Sequence, residues 1–227
     1  MKKKIISDIR LYKSEGKNEY GVYFTESFAD KRLIAIVMRV VMKLRENEFS
    51  LGEFDHLYIN FTTCDIGEEM KLSDEVDKYH PWHRYCTIHV EEDFYNKLDS
   101  FENQDEIIQW ITKILVTYFS SQDFNESRIL SCVKHAVDQG EDMLMKFKEK
   151  VTKQRKAIIF LRFLDKCMYA PLLRVYDMED NMLFEKALPE AVILDYLGNI
   201  QISKNKITIK PRKNAFTTHI NPLVFEY

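Results

Sequence analysis

The sequence predicts an α+β fold, with N-terminal strands and a buried helix, a central helix pair and a C-terminal antiparallel sheet. Three observations support it: apolar residues recur at helical spacing between residues 30 and 148, strand-like segments fill the chain from residue 157 onward, and strands and helices do not alternate regularly. No linker-like composition interrupts the chain. We therefore expect a single compact domain over 1–227, or two tightly packed lobes, 1–150 of mixed α/β structure and 151–227 of antiparallel β structure.

The N-terminal segment is predicted to form a hairpin followed by a helix. Residues 4–13 and 19–25 are rich in strand-forming residues, and the SEGKN between them contains glycine and asparagine, which suit a turn. Residues 30–47 have apolar side chains at helical spacing around most of their surface. This pattern predicts a largely buried helix.

The middle of the chain is predicted to contain two strands that flank an acidic loop. Residues 56–64, HLYINFTTC, alternate in polarity and are rich in strand formers, so Leu57, Ile59 and Phe61 should share one side. The segment DIGEEMKLSDEVDK reads as one loop, and RYCTIHV after it reads as the second strand.

Two helices are predicted next. Residues 103–119 place isoleucines and a leucine on one face, with Asn103 as a candidate N-cap and Glu106 completing a capping-box-like pattern. A second helix should run from 125 to 148, with an interruption or bend near Gly140.

From residue 157 the chain is predicted to form an antiparallel sheet. The strands are AIIFLRFL, APLLRVYDM and NMLFEKAL, followed by GNIQIS and KITIKP, which should face each other across Lys204 and Asn205.

Cysteine usage and hydropathy indicate the cellular compartment. The four cysteines include no C-x-x-C pair, and a chain of 227 residues needs no disulfides, so we expect reduced thiols and a cytoplasmic protein. The N-terminus has no apolar core of a signal peptide. The longest apolar run, residues 33–38, ends at Arg39 and is too short to span a bilayer, so no membrane partner is expected.

Charge is segregated along the sequence. Residues 53–106 carry fifteen acids and four bases, a net of −11, which leaves +8 on the rest of a chain whose total is −3. A nucleic-acid binder usually shows a strongly basic total, so we do not expect a nucleic-acid partner. A regulatory module that binds nucleic acid through the basic C-terminal strands stays open as an alternative.

The stretch HPWHRYCTIHV, residues 80–90, raises the question of a zinc site. On a strand, His83, Tyr85, Thr87 and His89 would share one side and Cys86 the other, and the ligands would be too far apart to meet at one ion. We therefore expect a polar sheet face with Cys86 packed inside, and no metal or other cofactor. A partial site that uses His80 and His83 stays open.

No strong catalytic motif is present. Asp55 followed by Glu69 and Lys71 gives the D…E-x-K order of some nucleases, which leaves a metal-dependent hydrolase as an alternative. However, GEEMKLSDE lacks the β-branched residues that should carry the E-x-K strand. The strings G-x-S-x-G, G-x-x-x-x-G-K and H-E-x-x-H are absent, so we expect a protein that is not an enzyme, with no catalytic residues.

The acidic loop and the aromatic residues at its end are the predicted partner-binding site. Loops on a rigid scaffold often carry binding residues, and aromatic side chains beside charges are typical of protein interfaces. The candidate contact residues are Asp65, Glu68, Glu69, Asp74, Glu75, Asp77, Tyr79, His80, Trp82 and His83.

Several segments resemble, in order and texture, the immunity proteins of bacterial polymorphic-toxin and contact-dependent inhibition systems. They are FDHLYINFTTC, KYHPWHRYCTIHVEEDFYNKL, LLRVYD and KITIKPRKNAF. The resemblance implies a non-enzymatic cytosolic protein that binds one cognate toxin domain and blocks its active site. If that toxin is a nuclease, its active site must be basic to hold phosphate, and an acidic surface would complement it.

Overall fold

The computed structural model describes residues 3–15, 17–18, 21–22, 26–74, 76–214 and 216–226. The chain divides into two compact units, residues 1–140 and 141–227. Within the described residues the fold is α+β, with a C-terminal antiparallel sheet as predicted.

The first unit carries the helices and a mixed sheet. Its elements are β1 (Asp8–Ser14), β2 (Lys17–Asn18), β3 (Gly21–Val22), β4 (Glu26–Ser27), α1 (Lys31–Glu46), β5 (His56–Thr62), β6 (Met70–Leu72), β7 (His83–His89), α2 (Glu92–Tyr95), α3 (Gln104–Phe119) and α4 (Glu126–Gln139). The five-stranded sheet has the order β4-β1-β5-β7-β6. Strands β1, β5 and β7 are parallel, while β4 and β6 add antiparallel edges.

The predicted N-terminal hairpin is present with different bounds. The strand β1 pairs antiparallel with the two-residue β4, in the same register in which β2 pairs with β3. The parallel pairing of β1 with β5 was not predicted. Of the predicted second strand, 19–25, only Gly21–Val22 lies within the described residues, and it pairs with Lys17–Asn18. After β4 the chain crosses over through α1, which lets β5 return parallel to β1.

The helix predicted at 30–47 is confirmed as α1. Asp30 caps its first turn by accepting hydrogen bonds from the backbone N–H groups of Arg32 (2.8 Å) and Leu33 (3.3 Å). Apolar side chains on most of its surface are buried, and the helix contacts β1 and α4. It therefore forms the centre of the core of the first unit.

The two central helices differ from the prediction at their ends. Asn103 makes no side-chain cap to α3, because it lies inside a preceding 3-10 turn, Phe101–Asn103. The helix α4 ends at Gln139 rather than at residue 148, since Gly140 adopts a positive φ of 52° and the chain turns there. The residues expected to continue that helix form a strand instead.

The second unit is built from antiparallel strands. They are β8 (Met145–Val151), β9 (Lys156–Leu164), β10 (Met168–Tyr176), β11 (Met182–Ala187), β12 (Asn199–Ser203), β13 (Lys206–Lys210) and β14 (Leu223–Glu226). They form a four-stranded sheet, β11-β10-β9-β8, and a three-stranded sheet, β12-β13-β14. The predicted pairing of β12 with β13 across Lys204 and Asn205 is confirmed. Strands β9 and β10 are joined by a tight turn that ends at Cys167, with a φ of 60°.

Among the described residues, no helix combines the length and apolar character needed to cross a membrane.

Replacing Phe61 tests how much its packing contributes to the stability of the first unit. The Phe61 side chain is fully buried and packs against Phe28, with ring centroids 5.8 Å apart. We expect Phe61→Ala to lower the free energy of unfolding by about 3–5 kcal/mol, measured by urea titration, because the cavity cannot fully collapse. The control is Tyr79→Ala, in which the lost ring is 79% exposed. Its change should stay within about 0.5 kcal/mol.

Candidate functional site

The parallel strands of the first unit sort their side chains onto two faces. In β5, Leu57, Ile59 and Phe61 are fully buried toward the core, as predicted. The intervening residues lie on the opposite, polar face. Because the strands pair in register, His56 lies between Asp8 and His83, and Tyr58 lies between Arg10 and Tyr85. The polar face thus brings together histidines and tyrosines that are far apart in sequence.

Three imidazole rings form a row at the start of β5 and β7. The centroids of His56 and His83 are 5.1 Å apart, and those of His80 and His83 are 4.8 Å apart. The outer two rings each have a carboxylate. His56 Nδ1 lies 2.6 Å from Asp55 Oδ1, and His80 Nδ1 lies 3.5 Å from Asp77 Oδ1. Among the described residues, no carboxylate forms an ion pair with the middle ring.

Two tyrosines contact the middle ring. The hydroxyl of Tyr58 lies 3.4 Å from His83 Nε2, and the hydroxyl of Tyr85 lies 3.4 Å from His83 Nδ1. Since the Tyr85 hydroxyl donates to Asp77 Oδ2 at 3.0 Å, its oxygen is available to accept from Nδ1–H. This assignment leaves Nε2 to accept from Tyr58, so a neutral His83 satisfies the whole chain of contacts.

The electrostatics favour the same protonation state. Burial lowers the pKa of His83 below its ordinary value of 6.5, and the neighbouring His56 and His80 lower it further. Burial and the hydrogen bond to Asp77 raise the pKa of Tyr85. Hydrogen bonds from the backbone N–H groups of His80 and Tyr79 lower the pKa of Asp77.

The geometry of this row does not suit a metal ion. The His80 and His83 rings are stacked with only 3° between their planes. Lone pairs of imidazole lie in the ring plane, so two parallel planes cannot direct them to one ion. Cys86 points to the opposite face, is fully buried, and its burial raises the thiol pKa to about 12. Among the residues that the structure describes, no group of three His, Cys, Asp or Glu side chains is placed to hold a metal.

The acidic segment is not one loop, contrary to the prediction. Residues 70–72 form β6, which pairs antiparallel with β7 at the sheet edge. Hydrogen bonding of the backbone to β7 overrides the weak strand propensity of MKL. As a result Asp65, Glu68 and Glu69 lie near the end of β7, whereas Asp74 and Asp77 lie near its start. Glu75 lies outside the described residues.

Several acidic residues have partners within the first unit. Glu69 forms an ion pair with Lys113, and Asp74 lies 3.8 Å from Arg84. Asp65 accepts a hydrogen bond from the backbone N–H of Gly67, and Glu68 is exposed. The negative charge is therefore distributed over both ends of the sheet rather than gathered in one patch.

The D…E-x-K residues are not brought together. Asp55 precedes β5 and lies beside the start of β7, where its N–H donates to Trp82 O at 3.1 Å. The carbonyl of Glu69 accepts from His89 N at the other end of β7. At about 3.3 Å per residue, the two carboxylates are separated by roughly 20 Å. This is too far for both to bind one divalent cation.

The most exposed part of the predicted site is the turn that leads into β7, residues 76–82, which we call the aromatic turn. Tyr79 is 79% exposed and Trp82 37% exposed, and His80 is also exposed. His83, at 7% exposure, supports this surface from beneath instead of forming it.

Hydrogen bonds hold the aromatic turn in place. Asp77 Oδ1 accepts from the N–H groups of Tyr79 (2.7 Å) and His80 (2.8 Å). The carbonyl of His80 accepts from His83 N at 2.9 Å. Asp77 is therefore a positioning residue, and Tyr79 projects from a fixed backbone.

The predicted contact residues did not include Asp55, His56, Tyr58, Tyr85 or Arg10, which lie beside them in the structure. Alternation along HLYINFT indicated that His56 and Tyr58 share a polar side. The parallel register that places them beside His83 has no signature in the sequence.

Several basic residues of the second unit pair with acids. Ion pairs join Lys156 to Asp180, Lys166 to Glu190, Arg174 to Glu185 and Arg212 to Asp195. On the face of β13 that carries Lys206 and Lys210, Glu226 lies opposite Lys206.

The burial of His83 should make the free energy of unfolding depend on pH. Because the folded pKa of His83 lies below its unfolded value of 6.5, its contribution is complete above pH 6.5 and is lost as the pH falls below it. We expect His83→Gln to reduce the acid-side slope of the unfolding free energy, by at most about 1.4 kcal/mol per pH unit for one proton.

Fluorescence in urea measures this slope in the first unit, since both tryptophans, Trp82 and Trp110, lie there. His89→Gln, at the far end of the same strand, is the matched control. Equal slopes for the two variants would contradict the assignment.

No protein-family model matches the chain, and neither a curated protein nor a solved structure matches it significantly.

Proposed function

We propose that this chain is a non-catalytic immunity protein that binds and neutralises a cognate bacterial toxin domain in the cytoplasm. The observation that carries the proposal is the aromatic turn, in which a hydrogen-bonded backbone presents Tyr79 almost completely to solvent. The resemblance of several segments to immunity proteins points the same way.

The aromatic turn has the properties of an interface anchor. Tyrosine and tryptophan dominate the energetics of protein interfaces, because they bury a large area and lose little conformational entropy. Tyr79 and Trp82 lie three residues apart on a turn whose backbone is already ordered. Binding therefore costs little additional ordering of this segment.

Charge favours a basic partner. Exposed Asp74 precedes the turn, Asp77 lies within it and Asp55 lies beside it. A negative surface speeds association with a positive one and disfavours acidic partners. A toxin domain that cleaves nucleic acid has a basic active site and would present the complementary charge.

Co-expression tests the function directly. The chain should protect cells that produce the toxin domain encoded immediately upstream of its own reading frame, measured as colony formation with both proteins induced. Protection should require only this chain, without added metal or substrate. Killing that continues while both proteins are present in soluble form would contradict the proposal.

The contact surface has a separate test. Tyr79→Ala should weaken toxin binding by roughly 30-fold or more, measured by calorimetry, if it is an anchor worth about 2 kcal/mol. The control is the double variant Asp65→Lys/Glu68→Lys, which changes charge at the far end of the sheet. We expect that control to bind within about threefold of the unchanged chain, because distant charges mainly affect association rate. If the double variant weakened toxin binding more than Tyr79→Ala does, the interface would lie at the other end of β7 and the aromatic turn would not be the anchor.

A further inference from the structure

A small surface site lies next to the aromatic turn, where Trp82 and Asp55 meet. The Nζ atom of Lys4 is 5.7 Å from the centroid of the Trp82 ring and 3.4 Å from Asp55 Oδ2. We call the Trp82 ring and the Asp55 carboxylate the Trp82–Asp55 shelf. An aromatic face beside a carboxylate is a chemistry that favours a cation.

The shelf is rigid. The N–H groups of Asp55 and His56 donate to Trp82 O at 3.1 and 3.3 Å, which fixes the two chain segments relative to each other. The Trp82 ring stands nearly perpendicular to the His80 and His83 rings, at 89° and 88°. The orientation of the ring is therefore set by its neighbours.

The two carboxylate oxygens of Asp55 differ in how tightly they are held: Oδ1 is bound by His56, and Oδ2 contacts, among the described residues, only the Lys4 ammonium. Asp55 Oδ1 lies 2.6 Å from His56 Nδ1. Asp55 Oδ2 is left for a cation, and the side chain is only 23% exposed, so part of its hydration is already removed. Partial desolvation strengthens attraction to a positive group.

The Lys4 side chain contacts the Trp82–Asp55 shelf only weakly. The backbone of Lys4 is anchored by a bond from its N–H to Gly52 O at 2.9 Å, but its side chain is 43% exposed and its Nζ contact with Asp55 is long. Arg84 gives a contrast on the same edge. It lies over Phe54, 3.8 Å from Asp74, and its side chain is only 15% exposed. The Lys4 side chain can therefore leave, whereas Arg84 is largely enclosed.

We propose that the Trp82–Asp55 shelf is a binding site for an arginine side chain of the partner, which replaces Lys4. This inference rests on the proposed function, since it names a group that the partner would present to the surface beside the aromatic turn. A planar guanidinium can stack flat on the indole while its edge donates to Asp55 Oδ2, whereas the Lys4 ammonium makes both contacts only at long distance. Lys4 returns to solvent at little cost.

A small probe tests the shelf without the toxin. In a Trp110→Phe background, fluorescence reports on Trp82 alone, and N-acetyl-L-argininamide is titrated as the probe. We expect saturable quenching, and Lys4→Met should tighten it by about two- to fivefold, because an exposed cation–π competitor is removed. Lys3→Met is the matched control, since Lys3 pairs with Asp123 and does not contact the shelf. It should leave the affinity unchanged. Asp55→Asn added to Lys4→Met should remove the gain.

The unsubstituted chain gives a second readout. Proton NMR should show the ring-current shift of the Lys4 side-chain methylenes disappear as argininamide is added. Non-saturable quenching, or equal affinities for Lys4→Met and Lys3→Met, would overturn the proposal, and so would Lys4 resonances that do not move. Failure of toxin neutralisation with intact argininamide binding would reject the immunity function and leave the shelf as a site for basic side chains.

Discussion

The in-register parallel pairing of β1, β5 and β7 is the constraint on which the first unit depends. Each strand alternates its side chains between two faces, and the shared register aligns that alternation across the sheet. One face becomes continuous with the core under α1, while the other gathers histidines and tyrosines into rows. A shift of one residue in β5 would place Leu57, Ile59 and Phe61 among the polar residues.

The row of histidines on the polar face gives the histidine-rich stretch 80–90 a structural role. His83 is buried, neutral and contacted by tyrosines on both ring nitrogens, and its two histidine neighbours are each provided with an aspartate. The arrangement supports the turn above it. Rigidity at the base and exposure at the tip are what a protein contact needs, and both come from the same short segment.

Sequence patterns predicted the elements whose signal is local. The spacing of apolar residues located α1, and alternation correctly sorted Leu57, Ile59 and Phe61 from their neighbours and His83, Tyr85, Thr87 and His89 from Cys86. Non-local pairing was not predictable in this way. Met70–Leu72 is a strand only because β7 lies beside it, and β1 pairs with β5 only because α1 returns the chain in parallel. The candidate site was the least predictable part, because His56 and Tyr58 reach His83 and Tyr85 only through this parallel register.

The tight turn between β9 and β10 contrasts with the long connection between the parallel strands β1 and β5. Across the tight turn the partner strand follows after a few residues, so the chain loses little entropy when the strands meet. In the first unit, β5, the parallel partner of β1, lies beyond the whole of α1. Loop closure is correspondingly more costly, and contacts between residues distant in sequence slow folding. The surface proposed to meet the toxin therefore belongs to the half of the chain whose native pairing is the harder to assemble.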